Sequence, residues 1–93
     1  MHRARLHKSA AKELARLPRA VQESVAELII EIQRDPFVDA KKMKLSGRLG
    51  TPVFRRRTGN YRVVYTVDGD ELLVLIIAIG NRKDVYRSLD RLK

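Results

Sequence analysis

Apolar residues recur at intervals of three and four between Val21 and Ile32: Val21, Val25, Leu28, Ile29 and Ile32. That spacing predicts an amphipathic helix with one buried face. Glu23, Glu27 and Glu31 form an opposed stripe at spacing four, which reads as the solvated back of the same helix. Asp35-Pro36-Phe37 stops it, because the residue before a proline avoids the helical region. Upstream, Ser9 reads as the N-cap of a shorter helix through "AAKELARL", with Leu14 and Leu17 turned inward. Pro18 ends that helix or opens the next. Residues 2–7, "HRARLH", are compatible with a short strand.

Beyond Thr51 the pattern shifts to alternation. Strands are predicted at Thr51–Arg57, Tyr61–Val67 and Glu71–Ile79, as antiparallel neighbours. The first pair joins at "TGN" and the second at "DGD", where Asp68-Gly69 signals a tight hairpin. The last strand contains "LLVLIIAI", apolar at both parities, and so is expected in the sheet interior with both faces covered. The tail "RKDVYRSLDRLK" is expected to add a helical turn or two. The expectation is one α+β domain over residues 1–93, a helical hairpin packed on one face of an antiparallel sheet.

Composition narrows the function classes. The chain has 93 residues, is 44% apolar and 33% charged, and contains no cysteine. Disulfide and thiolate chemistry are therefore excluded, which fits a reducing cytoplasm. No apolar run approaches the roughly 20 residues of a membrane helix, and the basic N-terminus lacks the apolar core of a signal peptide. We expect a soluble cytoplasmic protein with no membrane association.

The net charge of +9 is unevenly spread. Residues 1–40 hold seven Lys/Arg against six Asp/Glu; residues 41–93 hold thirteen against five. A half this basic implies a polyanionic partner, in cytoplasm usually nucleic acid. "FRRRTGNYRVVY" concentrates the charge, and no Asp or Glu occurs between Lys41 and Tyr65. Strand alternation puts Arg55, Arg57 and Arg62 together on the face that the helices leave open, and Arg56 at the sheet rim with its guanidinium in water. A one-residue slip would reverse that assignment. Like charges held this close repel, so a docking anion or a distant carboxylate must offset them. The basic connector (Lys41, Lys42, Lys44 and Arg48) adds RNA-binding candidates, as do Arg56, Lys83 and Arg87.

"IGNRKDVYR" then places Arg82 and Tyr86 four residues apart, on one side of a helical turn. Positive charge lowers a phenol from its ordinary pKa near 10, which makes a tyrosinate accessible as a base. RNA cleavage needs removal of the 2′-hydroxyl proton, stabilisation of phosphate charge and protonation of the leaving 5′-oxygen. The only histidines, His2 and His7, are N-terminal, and no carboxylate cluster suggests a metal. An arginine–tyrosine site, with no cofactor and no metal, would do the same work by charge, orientation and a perturbed phenol, although a lone tyrosine most often serves packing.

The order of motifs resembles the RelE toxin family of toxin–antitoxin modules, within the RelE/ParE superfamily. The resemblance runs through "AAKELARLP", the "DP" after the second helix, "KLSG", "FRRRTGNYRVVY" and "IAIGNRKDVYR". It implies two helices on one face of an antiparallel sheet whose first strand is N-terminal. It also implies ribosome-dependent, metal-independent mRNA cleavage through attack by the ribose 2′-hydroxyl, with a cognate antitoxin, the ribosome and mRNA as partners in a toxin–antitoxin hetero-oligomer. Position by position, Tyr86 would act as general base or position the hydroxyl. Arg62 and Arg82 would stabilise the phosphorane, with Arg82 assisting the leaving group. Arg55 and Arg57 would hold phosphates. Some members carry lysine at the position of Arg55 and a basic residue at that of Val53; arginine, with a pKa above about 12, is the poorer proton donor. Lys42 or Lys44 would be the substitute. Two alternatives stay open: a ParE-like inhibitor of DNA gyrase on the same fold, and an RNA-binding module without catalysis.

Overall fold

The computed structural model describes residues 1–43 and 51–90. The elements in chain order are β1 (Arg3–Leu6), α1 (Lys8–Ala15), α2 (Arg19–Arg34), β2 (Lys41–Lys42), β3 (Val53–Thr58), β4 (Tyr61–Asp68), β5 (Leu73–Asn81) and α3 (Arg82–Asp90). The five strands form one sheet in the order β1-β5-β4-β3-β2. The predicted meander is present as β3, β4 and β5, all antiparallel neighbours. The N-terminal strand exists too, and pairs parallel with β5.

The apolar stripe of α2 does what its spacing requires. Val25, Leu28, Ile29 and Ile32 are buried against Val63, Tyr65, Ile76 and Ile79 on one sheet face, with Ala10 of α1 beside them. A second cluster lies on the opposite face. There Val85 and Leu89 of α3 pack on Val53, Val64, Ile77 and Ala78. The α+β architecture with α1 and α2 on one face is thus as read, and α3 is a full helix that covers part of the other face. Its apolar contribution is confined to Val85 and Leu89, too few to show as a stripe.

β5 is sandwiched between β1 and β4, as its two-sided apolar sequence implied. A bulge adds to this. Val64 pairs with Ala78 but Tyr65 pairs with Ile76, so Ile77 is the extra residue. Ile77 and Ala78 consequently both join the α3-side cluster.

Three local expectations change. His7, not Ser9, caps α1: its Nδ1 accepts from the Ser9 amide at 3.2 Å. The β4–β5 connection is a four-residue turn ending at Leu72, which adopts φ 51°, rather than a two-residue Asp-Gly turn. Asp68 Oδ1 accepts from the amides of Asp70 and Glu71, and this side-chain cap replaces the tight turn. The β3–β4 hairpin is the tight one, with Gly59 at φ 58° as the first of two turn residues. That position in a type II′ turn favours glycine.

The exit from α2 is pinned by one buried bond. The Tyr65 hydroxyl donates to the Pro36 carbonyl at 2.6 Å. It anchors the start of the connector to the middle of the sheet. Among the described residues, no helix is long and apolar enough to cross a membrane.

Candidate active site

The two-residue turn at Gly59 sets the register of the arginines. Arg57 pairs directly with Arg62, and Arg55 with Val64. Directly opposed residues point to the same face, and Val64 belongs to the α3-side cluster. Arg55, Arg57 and Arg62 therefore share that face, as strand alternation required. The face is not bare, however: α3 lies on it, over β5 and β4. The arginines sit beside the helix.

Arg56 departs from expectation. It pairs with Val63 and so points to the α1–α2 face. Its side chain is only 12% exposed and forms an ion pair with Glu31 at 3.7 Å. It is not at a rim in water. Glu31 is accordingly more than the solvated back of α2. It supplies, from a distant element, the negative charge missing between Lys41 and Tyr65. Its spacing with Glu23 and Glu27 hid this, because a charged stripe is identical in sequence whether or not a strand cation reaches it.

The placement of α3 follows from two residues at its start. Asn81 Oδ1 accepts from the Asp84 amide at 2.9 Å and so caps the helix. Gly80 sits opposite Arg62 on β4. A Cβ on Gly80 would lie 3.3 Å from Asp84 Cβ and 3.7 Å from Val85 Cγ2, so the missing side chain lets α3 fold back tightly on the strand it leaves. This close approach brings Arg82 and Tyr86 to the arginine cluster. The Arg82 Cζ stands 5.9 Å from the centre of the Tyr86 ring, at cation–π distance. Tyr86 is 42% exposed.

Arg62 is the electrostatic centre of the group. Its pKa is lowered, first by burial and then by the positive charges of Arg55, Arg57 and Arg82, with Tyr86 opposing. The Arg62 Nε is buried and has no hydrogen-bond partner among the described residues. A charged donor in that position is one that an anionic oxygen would satisfy.

Next to it lies a cleft of about 190 Å³, bordered by Asp39, Lys41, Arg55, Arg56, Arg57 and Arg62. This is below the usual range for a drug-sized ligand, roughly 300–1,000 Å³, and suits a small anionic group such as a phosphodiester. Lys41 pairs with Arg55 and points to the same face. Lys42 pairs with Phe54 and points to the other, so of these two lysines only Lys41 joins the arginines. Asp39, at φ 55°, is an acid at the cleft that no sequence pattern marked. Its neighbours in the chain form no periodic element, and only the register of β2 carries it there. Lys83 is exposed on α3, whereas Arg87 borders a different cleft, with Glu13 and Arg16 of α1. Lys44 and Arg48 lie outside the described residues. Among the described residues, no group of three His, Cys, Asp or Glu side chains could hold a metal ion.

The structure thus gathers Arg55, Arg57, Arg62, Arg82 and Tyr86, sets Lys42 and Arg87 elsewhere, and pairs Arg56 with Glu31 at the border of the same cleft. Comparison with known proteins bears on what such a cluster serves. The family described as the ParE toxin of the type II toxin–antitoxin system, parDE, matches residues 4–86. A putative toxin RelE1 of Methanocaldococcus jannaschii is 31% identical over 87 residues, covering 89% of this chain and 92% of that protein. The mRNA interferase toxin RelE of Escherichia coli is 29% identical over 79 residues, covering 83% and 81%. Among solved structures, a chain of the Mycobacterium tuberculosis toxin–antitoxin complex RelBE2 superposes with a TM-score of 0.75 at 26% identity, over 87% of this chain and 98% of that one. The chain therefore belongs to the RelE/ParE family of type II toxin–antitoxin toxins.

Proposed function

We propose that this toxin is a ribosome-dependent endoribonuclease that cleaves mRNA and so stops translation in the cytoplasm. The observation that carries the reading is the surrounding of Arg62 by three further arginines and a half-exposed phenol on one face. The same-fold relative named an mRNA interferase is consistent with it.

The chemistry follows from the groups present. The ribose 2′-oxygen attacks the adjacent phosphorus and the bond to the 5′-oxygen breaks, leaving a 2′,3′-cyclic phosphate and a 5′-hydroxyl. The nucleophile is supplied by the substrate, so no metal-bound hydroxide is required. Tyr86 accepts or orients the 2′ proton. Arg62 and Arg82 offset the charge that grows on the phosphorane oxygens, where preorganised donors contribute most. Arg55 and Arg57 hold the phosphates, and Arg82 assists the departing 5′-oxygen. Lys41 shares the face of Arg55 and Lys42 does not, which supports Lys41 over Lys42 as a lysine that would share that proton work.

Solved relatives occur in toxin–antitoxin complexes. We infer the same arrangement here: a cognate antitoxin whose acidic segment neutralises the basic face, in a hetero-oligomer.

A second reading has one observation in its favour, the ParE description of the matching family. On that reading the protein inhibits DNA gyrase and cuts no RNA. Expression of the toxin followed by primer extension on cellular mRNA separates the two. Discrete breaks that appear only in translated messages are expected, and they should vanish in Tyr86→Phe and Arg82→Ala. Intact mRNA with induction of the DNA-damage response would transfer the assignment to gyrase.

A further inference from the structure

One carboxylate stands on the inward side of α1. Ala10 and Leu14 of the helix, and Leu17 just beyond it, meet the core. Glu13 lies three residues after Ala10 and next to Leu14, on the same side, and is half-buried. A carboxylate drawn out of water needs a partner. Lys8, Lys12, Arg16 and Arg87 share two clefts with it, yet the ion pairs among the described residues lie elsewhere. Its Oε1 accepts instead from the Ile79 amide, at 3.1 Å and across 66 residues of sequence.

This bond fills a gap in the sheet. β1 stops at Leu6, opposite Ile76. Among the described residues, the last part of β5 therefore has no strand on that side, while its other side pairs with β4 at Val63. Glu13 supplies the acceptor that a longer β1 would have offered, and a bond to a charged oxygen is roughly twice as strong as a neutral one. The residues that follow Ile79 carry the site. Gly80 packs against α3, Asn81 caps it and Arg82 opens it. Movement of this strand end carries Arg82 and Tyr86 together, relative to Arg55, Arg57 and Arg62 on β3 and β4.

We propose that Glu13 is a positioning residue of the active centre. It acts through the backbone: it fixes the point on β5 from which α3 departs, and so the separation of the Arg82–Tyr86 pair from the strand arginines. The inference rests on the nuclease reading above. Misplacement of reacting groups by about 1 Å can cost about 100-fold in rate, so a modest shift of α3 is enough to register.

Single-turnover cleavage on programmed ribosomes, over a range of ribosome concentrations, separates positioning from binding. The parent is compared with Glu13→Ala, Glu13→Gln and Gln33→Ala. Glu13→Gln drops the charge and keeps an oxygen acceptor. Gln33→Ala deletes the same class of bond at the opposite end of the sheet, where Gln33 Nε2 donates to the His2 carbonyl at 3.1 Å. Glu13→Ala should cleave at least about tenfold more slowly at saturation, with its half-saturating ribosome concentration within about threefold of the parent's. Hydrogen exchange at the Ile79 amide, followed by NMR, should accelerate about tenfold as well. Glu13→Gln should recover most of the rate, and Gln33→Ala should retain it. Glu13→Asp, shorter by one methylene, is the milder lesion and should show the same defect to a lesser degree; all variants should keep the parent's far-UV circular dichroism. Parent-like saturated cleavage in Glu13→Ala, or equal loss in Gln33→Ala, overturns the inference and leaves the nuclease reading intact. So does a Glu13→Gln protein as slow as Glu13→Ala, because the charge and not the bond to Ile79 would then be what counts. A parent that leaves ribosome-bound mRNA uncut defeats the nuclease reading itself, and this inference with it.

Discussion

Replacing Tyr65 with phenylalanine removes one oxygen from the centre of the molecule, and two independent effects should follow. The Tyr65 ring is fully buried, and its hydroxyl donates to the Pro36 carbonyl at 2.6 Å. The phenylalanine leaves that carbonyl, on a buried proline, without its partner. An orphaned buried acceptor costs about 1–3 kcal/mol, a fall in Tm on the order of 10 °C for a chain of this size. The second effect is in pH. Burial pushes the Tyr65 pKa up from its ordinary 10.0 to about 12, with Arg56 opposing and Asp35 assisting. Between pH 10 and 12 the unfolded chain has lost this proton while the native state retains it. The unfolded state then binds fewer protons, so stability falls as pH rises through that window, and the contribution is fully present below pH 10. The difference amounts to about 2–3 kcal/mol at its limit. Urea denaturation of parent and variant from pH 8 to 11.5 measures both. The variant should be the less stable protein at pH 8, and the gap should narrow above pH 10, because the variant has no phenol to ionise at this position. Parallel decline of the two across the alkaline range, or equal stability at pH 8, would refute the burial and the hydrogen bond on which the estimate rests.

Other substitutions probe the placement of the site. Gly80→Ala puts a methyl 3.3 Å from Asp84 Cβ and should displace α3. We expect about 1 kcal/mol of destabilisation and a loss of mRNA cleavage larger than that figure alone would give, read by thermal melting and primer extension. Asn81→Ala removes the cap of α3 and should lower stability by about 1 kcal/mol, with a cleavage defect that Asn81→Asp or Asn81→Ser largely restores. Arg56→Met and Arg57→Met form a matched pair on opposite faces of β3. Cleavage should stay within about threefold for the first and fall about 100-fold or more for the second. Similar losses in both would mean that the faces are misassigned.

Much of the fold could be read from periodicity because the core elements bury one continuous face. The α2 stripe and the alternation in β4 leave few other solutions. The elements that escaped are those whose identity is settled by contacts far away in sequence. β2 is two lysines, polar and exposed, and is a strand only because β3 offers an edge. The Asp68-Gly69 pair satisfies the rules for a two-residue hairpin, yet the carboxylate captures two amides and lengthens the turn. His7 takes the cap from Ser9 because the chain leaves β1 one residue earlier. At the site, strand parity was enough to group Arg55, Arg57 and Arg62. It placed Arg56 on the correct opposite face but left it in water, since nothing local indicates that Glu31 lies beneath it. The proximity of Arg82 and Tyr86 to that group depends on Gly80 and Asn81, whose roles appear only when the helix is seen packed over β5.

The most direct test of the arginine–tyrosine centre is a single-turnover cleavage rate on programmed ribosomes, for the parent, Arg62→Met and Tyr86→Phe, at ribosome concentrations that saturate binding. Each variant should bind ribosomes nearly as the parent does and cleave at least about 100 times more slowly. Parent-like rates in both would remove the catalytic role from this face of the sheet.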